Sequence, residues 1–204
     1  MANYSLKAAV RNVVGKGASR RLRRLEGTIP GIIYGGTKAP QNITLVHKDL
    51  AKALEDEGFY SHIIALDVEG AGTEKVVLKA LQRHPSKAQI LHADFLRIDD
   101  SHTITVRVPL HFLNEDKCVG VRLGGGSISH AMSELEVKCL PQNLPEFLEV
   151  DLAELTVGAI VHISDLKLPA GVESVQLSHG AEHDLPVVSV ATPRGAASEE
   201  SSEG

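Results

Sequence analysis

Residues 64–80 read IALDVEGAGTEKVVLKA, and this stretch decides the fold class. Ile64, Leu66 and Val68 alternate with other residues, as do Val76, Leu78 and Ala80. Successive side chains of a strand point to opposite faces, so period-two patterning marks strands buried on one side. Gly70 to Gly72 separates the two runs and supplies a turn. The stretch predicts a β-hairpin with Val76, Leu78 and Ala80 together on its core face.

Toward the N-terminus the pattern is mixed. Ser5 to Val10 predicts a first strand. Ser19 to Glu26 predicts a short helix, with Ser19 as N-cap and Gly27 as its stop. Ile32 to Tyr34, bracketed by Gly31, Gly35 and Gly36, predicts another strand, and Ile43 and Leu45 alternate with polar residues. Lys48 to Glu57 has helical composition that Gly58 should end. Ile90 to Ile98 predicts a last strand before a boundary at Asp99–Asp100–Ser101.

Beyond that boundary the pattern is almost purely β. Ile104, Val106, Val108, Leu110 and Phe112 hold strict period two. Leu135, Val137 and Cys139 repeat it, as do Leu148, Val150 and Leu152; Val161 with Ile163 and Val188 with Val190 suggest shorter strands. The expected fold is α+β but mostly β, with a first domain at 1–98 and an antiparallel β domain at 99–191. Residues 192–204, TPRGAASEESSEG, are small, polar and acidic, and are expected to be a disordered tail.

Charge separates the two halves. Residues 1–98 hold 15 Lys and Arg against 9 Asp and Glu; residues 99–204 hold 6 against 17. The halves therefore carry +6 and −11, and the overall −5 conceals a strongly basic front. Residues 1–40 contain eight basic residues and a single acid, Glu26. Cys118 and Cys139 sit in no metal-spaced pattern and read as two buried thiols of a reducing cytosol. The opening MANYSLKAAVRN has no apolar run of the kind a secretory signal needs, and no stretch approaches the length of a membrane span.

The basic character concentrates in GKGASRRLRR, residues 15–24. Leu22 and Leu25 give the expected helix an apolar edge, so Arg20, Arg21, Arg23 and Arg24 fan over its other faces. Neighbouring like charges are unfavourable unless anions lie close by. A polyanion supplies many phosphates in a row, so nucleic acid is the natural partner. A solvated charged face is the plainer alternative. A nucleotide loop is disfavoured, because GKGAS lacks the GxxxxGK[ST] spacing.

Other candidates are weaker. Tyr34 between glycines fits an aromatic platform for a base or ribose, and equally fits an ordinary core or rim tyrosine. Gln82 precedes a turn at Arg83–His84–Pro85 and can both donate and accept. His92 and Asp94 lie two apart on one strand face. An aspartate on an RNA surface makes sense only if it accepts hydrogen bonds from exocyclic base amines. HGAEH at 179–183 does not match HExxH, so no metal is expected. Gly124 to Gly126 reads as a mobile surface loop rather than a phosphate cradle. No acid–base set supports catalysis, and no cofactor is expected.

The strings GKGASRRLRR, IPGIIYGG, LQRHPSKAQILHADFLRI, VPLHF, GVRLGGG and LEVKCLPQNLPEFLEVDL follow one another in the order of a known family. From about residue 10 to 190 the chain resembles the long, two-domain form of bacterial large-subunit ribosomal protein L-twenty-five, the Ctc family. The resemblance implies a small β-barrel with short helices, followed by a mostly β domain. It also implies a partner, 5S ribosomal RNA at an internal loop, and a cytoplasmic, ribosomal, non-enzymatic role. The implied RNA contacts are Arg11, Lys16, Ser19, Arg20, Arg21, Tyr34, Gln82, His92 and Asp94. Neighbouring ribosomal proteins are candidate partners of the acidic second domain. Two alternatives stay open: a stress-linked RNA-binding factor acting partly off the ribosome, and an enzyme with a phosphate loop at 15–19.

Overall fold

A computed structural model describes residues 4–99 and 102–192. Its described residues form two compact units: those of Met1–Arg107 with Lys138–Glu146, and those of Val108–Val137 with Phe147–Gly204. The dividing line thus falls inside two strands, at 107/108 and 137/138.

In the first unit six strands close a barrel. They are β1 (Tyr4–Val10), β2 (Thr28–Tyr34), β3 (Gln41–Val46), β4 (Ile64–Glu69), β5 (Gly72–Arg83) and β6 (Ile90–Arg97), in the order β1-β3-β2-β6-β5-β4. β1 with β4, and β2 with β6, run parallel; the other pairs are antiparallel. Closure removes the edges that an open sheet would expose. Alternation places Ile29, Ile33, Ile43, Leu45, Leu66 and Phe95 inside. The helices α2 (His47–Ala53) and α3 (Gly58–Ser61) add Leu50 and Phe59 to the same core. Gly31 belongs to this packing: a Cβ there would stand 2.9 Å from the Ala93 carbonyl across β2 and β6.

The hairpin forms as expected, with Ile64 opposite Val76 and Val68 opposite Gly72. Its second strand departs from strict alternation. Leu78 pairs with Phe95, but Ala80 pairs with Asp94, so Lys79 is an extra residue in the ladder. A β-bulge of this kind reverses the face of everything after it. Ala80 is therefore exposed instead of on the core face, and Leu81 packs against the core in its place.

Two further helical expectations are corrected. The basic helix α1 begins at Lys16 and runs to Arg21, then widens into a π-helical turn over Leu22–Glu26. Ser19 is inside it, and Gly15, at φ 104°, occupies the N-cap position. Gly27 stops the segment as expected, in the left-handed conformation at φ 61°. Gly58 does not end the second helix; that helix stops at Ala53, and Gly58 starts α3.

The remaining strands are β7 (Ile104–Leu113), β8 (Ser127–His130), β9 (Glu134–Cys139), β10 (Leu148–Asp151), β11 (Ile160–His162), β12 (Val172–Ser174) and β13 (Pro186–Ala191). They make a four-stranded sheet, β10-β7-β9-β12, and a three-stranded sheet, β11-β13-β8. β-rich architecture is as expected, although β10 runs parallel to β7, so this part is not wholly antiparallel. Leu135, Val137, Leu148, Val150 and Leu152 are buried, as their alternation requires. Cys118 and Cys139 are free, buried thiols. The glycine run is packed rather than loose: a Cβ on Gly124 would fall 2.1 Å from Val157 Cγ2, and Gly126 N–H donates to the Gly120 carbonyl. Beyond Thr192 the expected tail lies outside the described residues.

Candidate nucleic-acid interface

The barrel's outer face assembles most of the candidate residues through strand register alone. Arg11, just past β1, donates its backbone N–H to the Asn42 carbonyl of β3 at 2.9 Å. Asn42 stands opposite Ile32 of β2, Ile32 opposite Asp94 of β6, and Asp94 opposite Ala80 of β5. The neighbours Ile33, Ile43 and Ala93 are fully buried, so this row points outward. Neighbouring strands lie about 4.8 Å apart, so the row crosses roughly 19 Å of surface. One residue pair along, Tyr34 faces Leu96; on the other side, Gln82 faces His92. Gln82 reaches this face because of the Lys79 bulge.

Within the row, His92 and Asp94 form one unit. His92 Nδ1 lies 2.5 Å from Asp94 Oδ1, and both side chains are about 30% exposed. With Nδ1–H donating to the carboxylate, Nε2 is the imidazole atom left for an outside partner. Tyr34 stands near the same carboxylate. Partial burial, and secondarily the Asp94 charge, raise its phenol pKa, so the hydroxyl keeps its proton and can donate.

α1 is fastened beside this surface at two points. Arg11 Nη1 donates to Ser19 Oγ at 3.2 Å, and Arg23 Nη1 donates to the Leu91 carbonyl at 2.9 Å. Arg11 Nε is shielded from water and has no partner among the described residues. A shielded donor without a partner calls for an explanation, and an anion bound from outside supplies one. Lys16, Arg20 and Arg21 are exposed on the helix. Arg23 is not part of the fan expected from the helix pattern; it turns inward to hold the helix on β6.

Sequence reasoning passed over a clamp next to Tyr34. Glu74 of β5 is buried and receives Arg97 Nε at 2.6 Å and Lys38 Nζ at 2.8 Å. Arg97 Nη1 also donates to the Ala39 carbonyl at 3.2 Å, and more distantly to those of Gly35 and Lys38. Burial pushes the Glu74 carboxyl pKa up, but the bonds from Lys38 and Arg97 outweigh it and hold the value below the ordinary range. The clamp fixes the 35–39 loop that follows Tyr34. Gly35, at φ 94°, completes it: a Cβ there would stand 2.7 Å from Leu96 Cδ1. Three residues separated by 23 and 36 positions leave no local signal; the pairing of β6 with both β2 and β5 makes them neighbours.

Elsewhere, His179 and His183 pack ring edge to ring face, and among the described residues no cluster of three His, Cys, Asp or Glu is placed to hold a metal. Among them, too, no helix is long and apolar enough to cross a membrane.

Comparison with known proteins agrees with this architecture. Residues 6–95 match the family described as Ribosomal L25p, and residues 103–194 match the C-terminal domain of ribosomal protein TL5. A large ribosomal subunit protein bL25 from Hahella chejuensis is 60% identical over 97% of this chain and 94% of its own length. Proteins of the same name from Cellvibrio japonicus and Pseudomonas aeruginosa are each 54% identical, covering 98% and 100% of this chain and 98% of their own lengths. A two-part match of this extent, on a closed barrel followed by a β-rich unit, leaves one assignment: the chain belongs to the bL25 family of large ribosomal subunit proteins, in its long form.

Proposed function

We propose that this protein is a non-catalytic component of the large ribosomal subunit in the cytoplasm, and that its barrel binds 5S ribosomal RNA at an internal loop. The observation that carries this reading is the shared outer face, where Arg11, Tyr34, Gln82, His92 and Asp94 stand beside an arginine helix. A-form RNA exposes 2′-hydroxyls and base edges across its wide, shallow minor groove, and an internal loop adds unpaired edges. Lys16, Arg20 and Arg21 supply sequence-blind attraction to phosphates, while Gln82, His92 and Asp94 select among base edges. Asp94 accepts from an exocyclic amine, and Tyr34 offers a hydroxyl and a ring. Ser19 positions Arg11 and can donate to a phosphate.

The division of labour follows the charge. Residues 1–98 form the RNA-binding domain, and the acidic 99–191 region keeps clear of phosphates. The experiment is a footprint of the purified chain on 5S ribosomal RNA across a salt series. Protection should centre on an internal loop. With Arg11, Lys16, Arg20 and Arg21 on phosphates, log affinity should fall with log salt at a slope of about −3 to −4. Protection confined to fully paired stems, or affinity residing in residues 99–204, would overturn the reading.

A further inference from the structure

The second unit carries a groove that RNA binding does not use. β10 is the outermost strand of its sheet, paired with β7. Leu152 N–H donates to the Leu113 carbonyl at 3.0 Å. In a parallel ladder every second residue bonds to the same neighbour. Leu148 and Val150 therefore face β7, and Glu149 and Asp151 turn their backbone N–H and C=O groups to the open edge.

That edge runs along a groove of about 720 Å³. Leu113 and Phe147, each about 40% exposed, form its apolar wall. Phe147 is held by stacking on His111, with ring centroids 4.4 Å apart. Glu149, Asp151, Glu154 and Asp165 line the same space, against Lys167 as the single cation among the lining residues. Asp151 is fixed by Asn114 Nδ2 at 2.8 Å and by the Ala153 N–H at 3.0 Å. Carboxylates on an edge strand also discourage random strand pairing. That role explains charge along the strand, but not a groove that adds an apolar wall to an acidic lining.

We propose that this groove is a binding site for an extended, Lys- and Arg-rich polypeptide segment, which adds to β10 as a further strand. Its main chain bonds the free groups of Glu149 and Asp151. Leu113, Phe147, Glu149 and Asp151 share one face of the sheet, so alternate Lys or Arg side chains lay their aliphatic stems on Leu113 and Phe147 and bring their cations to the carboxylates. Strand addition draws affinity from the main chain and selectivity from alternate side chains. Nucleic acid is the wrong occupant, because a net of three negative charges repels phosphate. The site stands on the second unit alone and does not rest on the RNA reading.

The test uses the full-length protein and a fluorescent octapeptide of alternating Lys and Val, with an alternating Glu–Val peptide as control. Anisotropy should show binding of the Lys–Val peptide that weakens with salt, and none of the Glu–Val peptide. Glu149→Pro removes an outward N–H without touching the β7 ladder and should cut affinity at least tenfold; Glu154→Lys should cut it several-fold. Both variants should bind 5S ribosomal RNA as the parent does, which separates failure here from failure of the RNA reading. If Glu149→Pro misfolds, hydrogen exchange on the parent protein decides: the peptide should slow the Glu149 and Asp151 amides. Equal binding of both peptides, unchanged affinity in Glu149→Pro, no protection of those two amides, or displacement of the peptide by RNA would each overturn the proposal. So would self-association that Glu149→Pro abolishes, since the occupant would then be a second copy.

Discussion

His92 Nδ1 donates to the Asp94 carboxylate across 2.5 Å, joining consecutive outward positions of β6 into one recognition unit. The bond orients the imidazole and leaves a second carboxylate oxygen for a base amine. Asp94→Ala should therefore reduce the preference for loop-containing over fully paired RNA by roughly 10- to 100-fold, the range of about 1–3 kcal/mol for a lost base-specific pair. Affinity for paired RNA should hold or rise, because a carboxylate is removed from the neighbourhood of phosphates. His92→Ala combined with Asp94→Ala should cost less than the sum of the two, with a coupling of about 0.5–3 kcal/mol. Titrations of both RNAs against the four proteins of the cycle measure this.

Arg20 and Arg23 lie on the same helical segment but should behave differently. Arg20 is exposed, so Arg20→Ala should weaken binding to loop-containing and paired RNA alike and reduce the magnitude of the salt slope by about 0.7–0.9. Arg23 bonds the Leu91 carbonyl, so Arg23→Ala should loosen α1 and cost about 1.5–3 kcal/mol of stability, the range for a hydrogen bond to a charged group, less what solvent recovers. Thermal unfolding alongside RNA titration separates the two outcomes.

The Glu74 clamp predicts an acid sensitivity. Its folded-state carboxyl pKa lies below the ordinary 4.5. A depressed pKa stabilises the fold above the unfolded value, and the gain is lost as pH falls through the folded value. Stability should thus decline below about pH 4.5, with the amides of Gly35 and Gly36 shifting first in NMR spectra. Glu74→Gln should flatten that contribution and, by leaving Arg97 buried without its counter-charge, cost about 3–5 kcal/mol at neutral pH. A Glu74→Gln protein with unchanged stability and unchanged acid response would show that the clamp does not hold the loop.

Much of this was legible along the chain, and the exceptions share a cause. Local patterns identified the hairpin, the β-rich second half, the stop at Gly27 and the buried thiols, because alternation, glycine conformation and thiol burial act over a few residues. Ser19 failed as an N-cap because Gly15 starts the helix a turn earlier, and Arg11, eight residues back, claims its hydroxyl. Gly58 has the local character of a helix stop, but a second short helix starts on it. The Glu74–Arg97–Lys38 clamp and the bond from Arg23 to Leu91 join distant segments, and no periodicity announces them. The shared face itself depends on which residues stand opposite each other in a closed barrel, which only register decides.

The bulge at Lys79 is the sharpest case, and it carries the last prediction. If Lys79 took a regular place in the ladder opposite Asp94, Ala80 would stand opposite Ala93 and Gln82 would turn into the barrel, as unbroken alternation from Val76 suggests. Leu81 would then point to solvent. Deleting Lys79 alone removes only the extra residue and keeps Leu81 inward and Gln82 outward, whereas deleting Lys79 and Ala80 together shifts the alternation by one and should exchange a packed leucine for a buried amide. Leaving that amide unpaired costs about 1–3 kcal/mol, and withdrawing Leu81 from the core loses about 1.5–3 kcal/mol more. Gln82 would also leave the face it shares with His92, so whatever double-deletion protein remains folded should keep salt-sensitive RNA binding but lose preference for the internal loop. Deleting Lys79 alone, or replacing it with Ala, should preserve that preference. If the double and the single deletion discriminate between the two RNAs equally well, the phase of β5 beyond Leu78 does not set the position of Gln82.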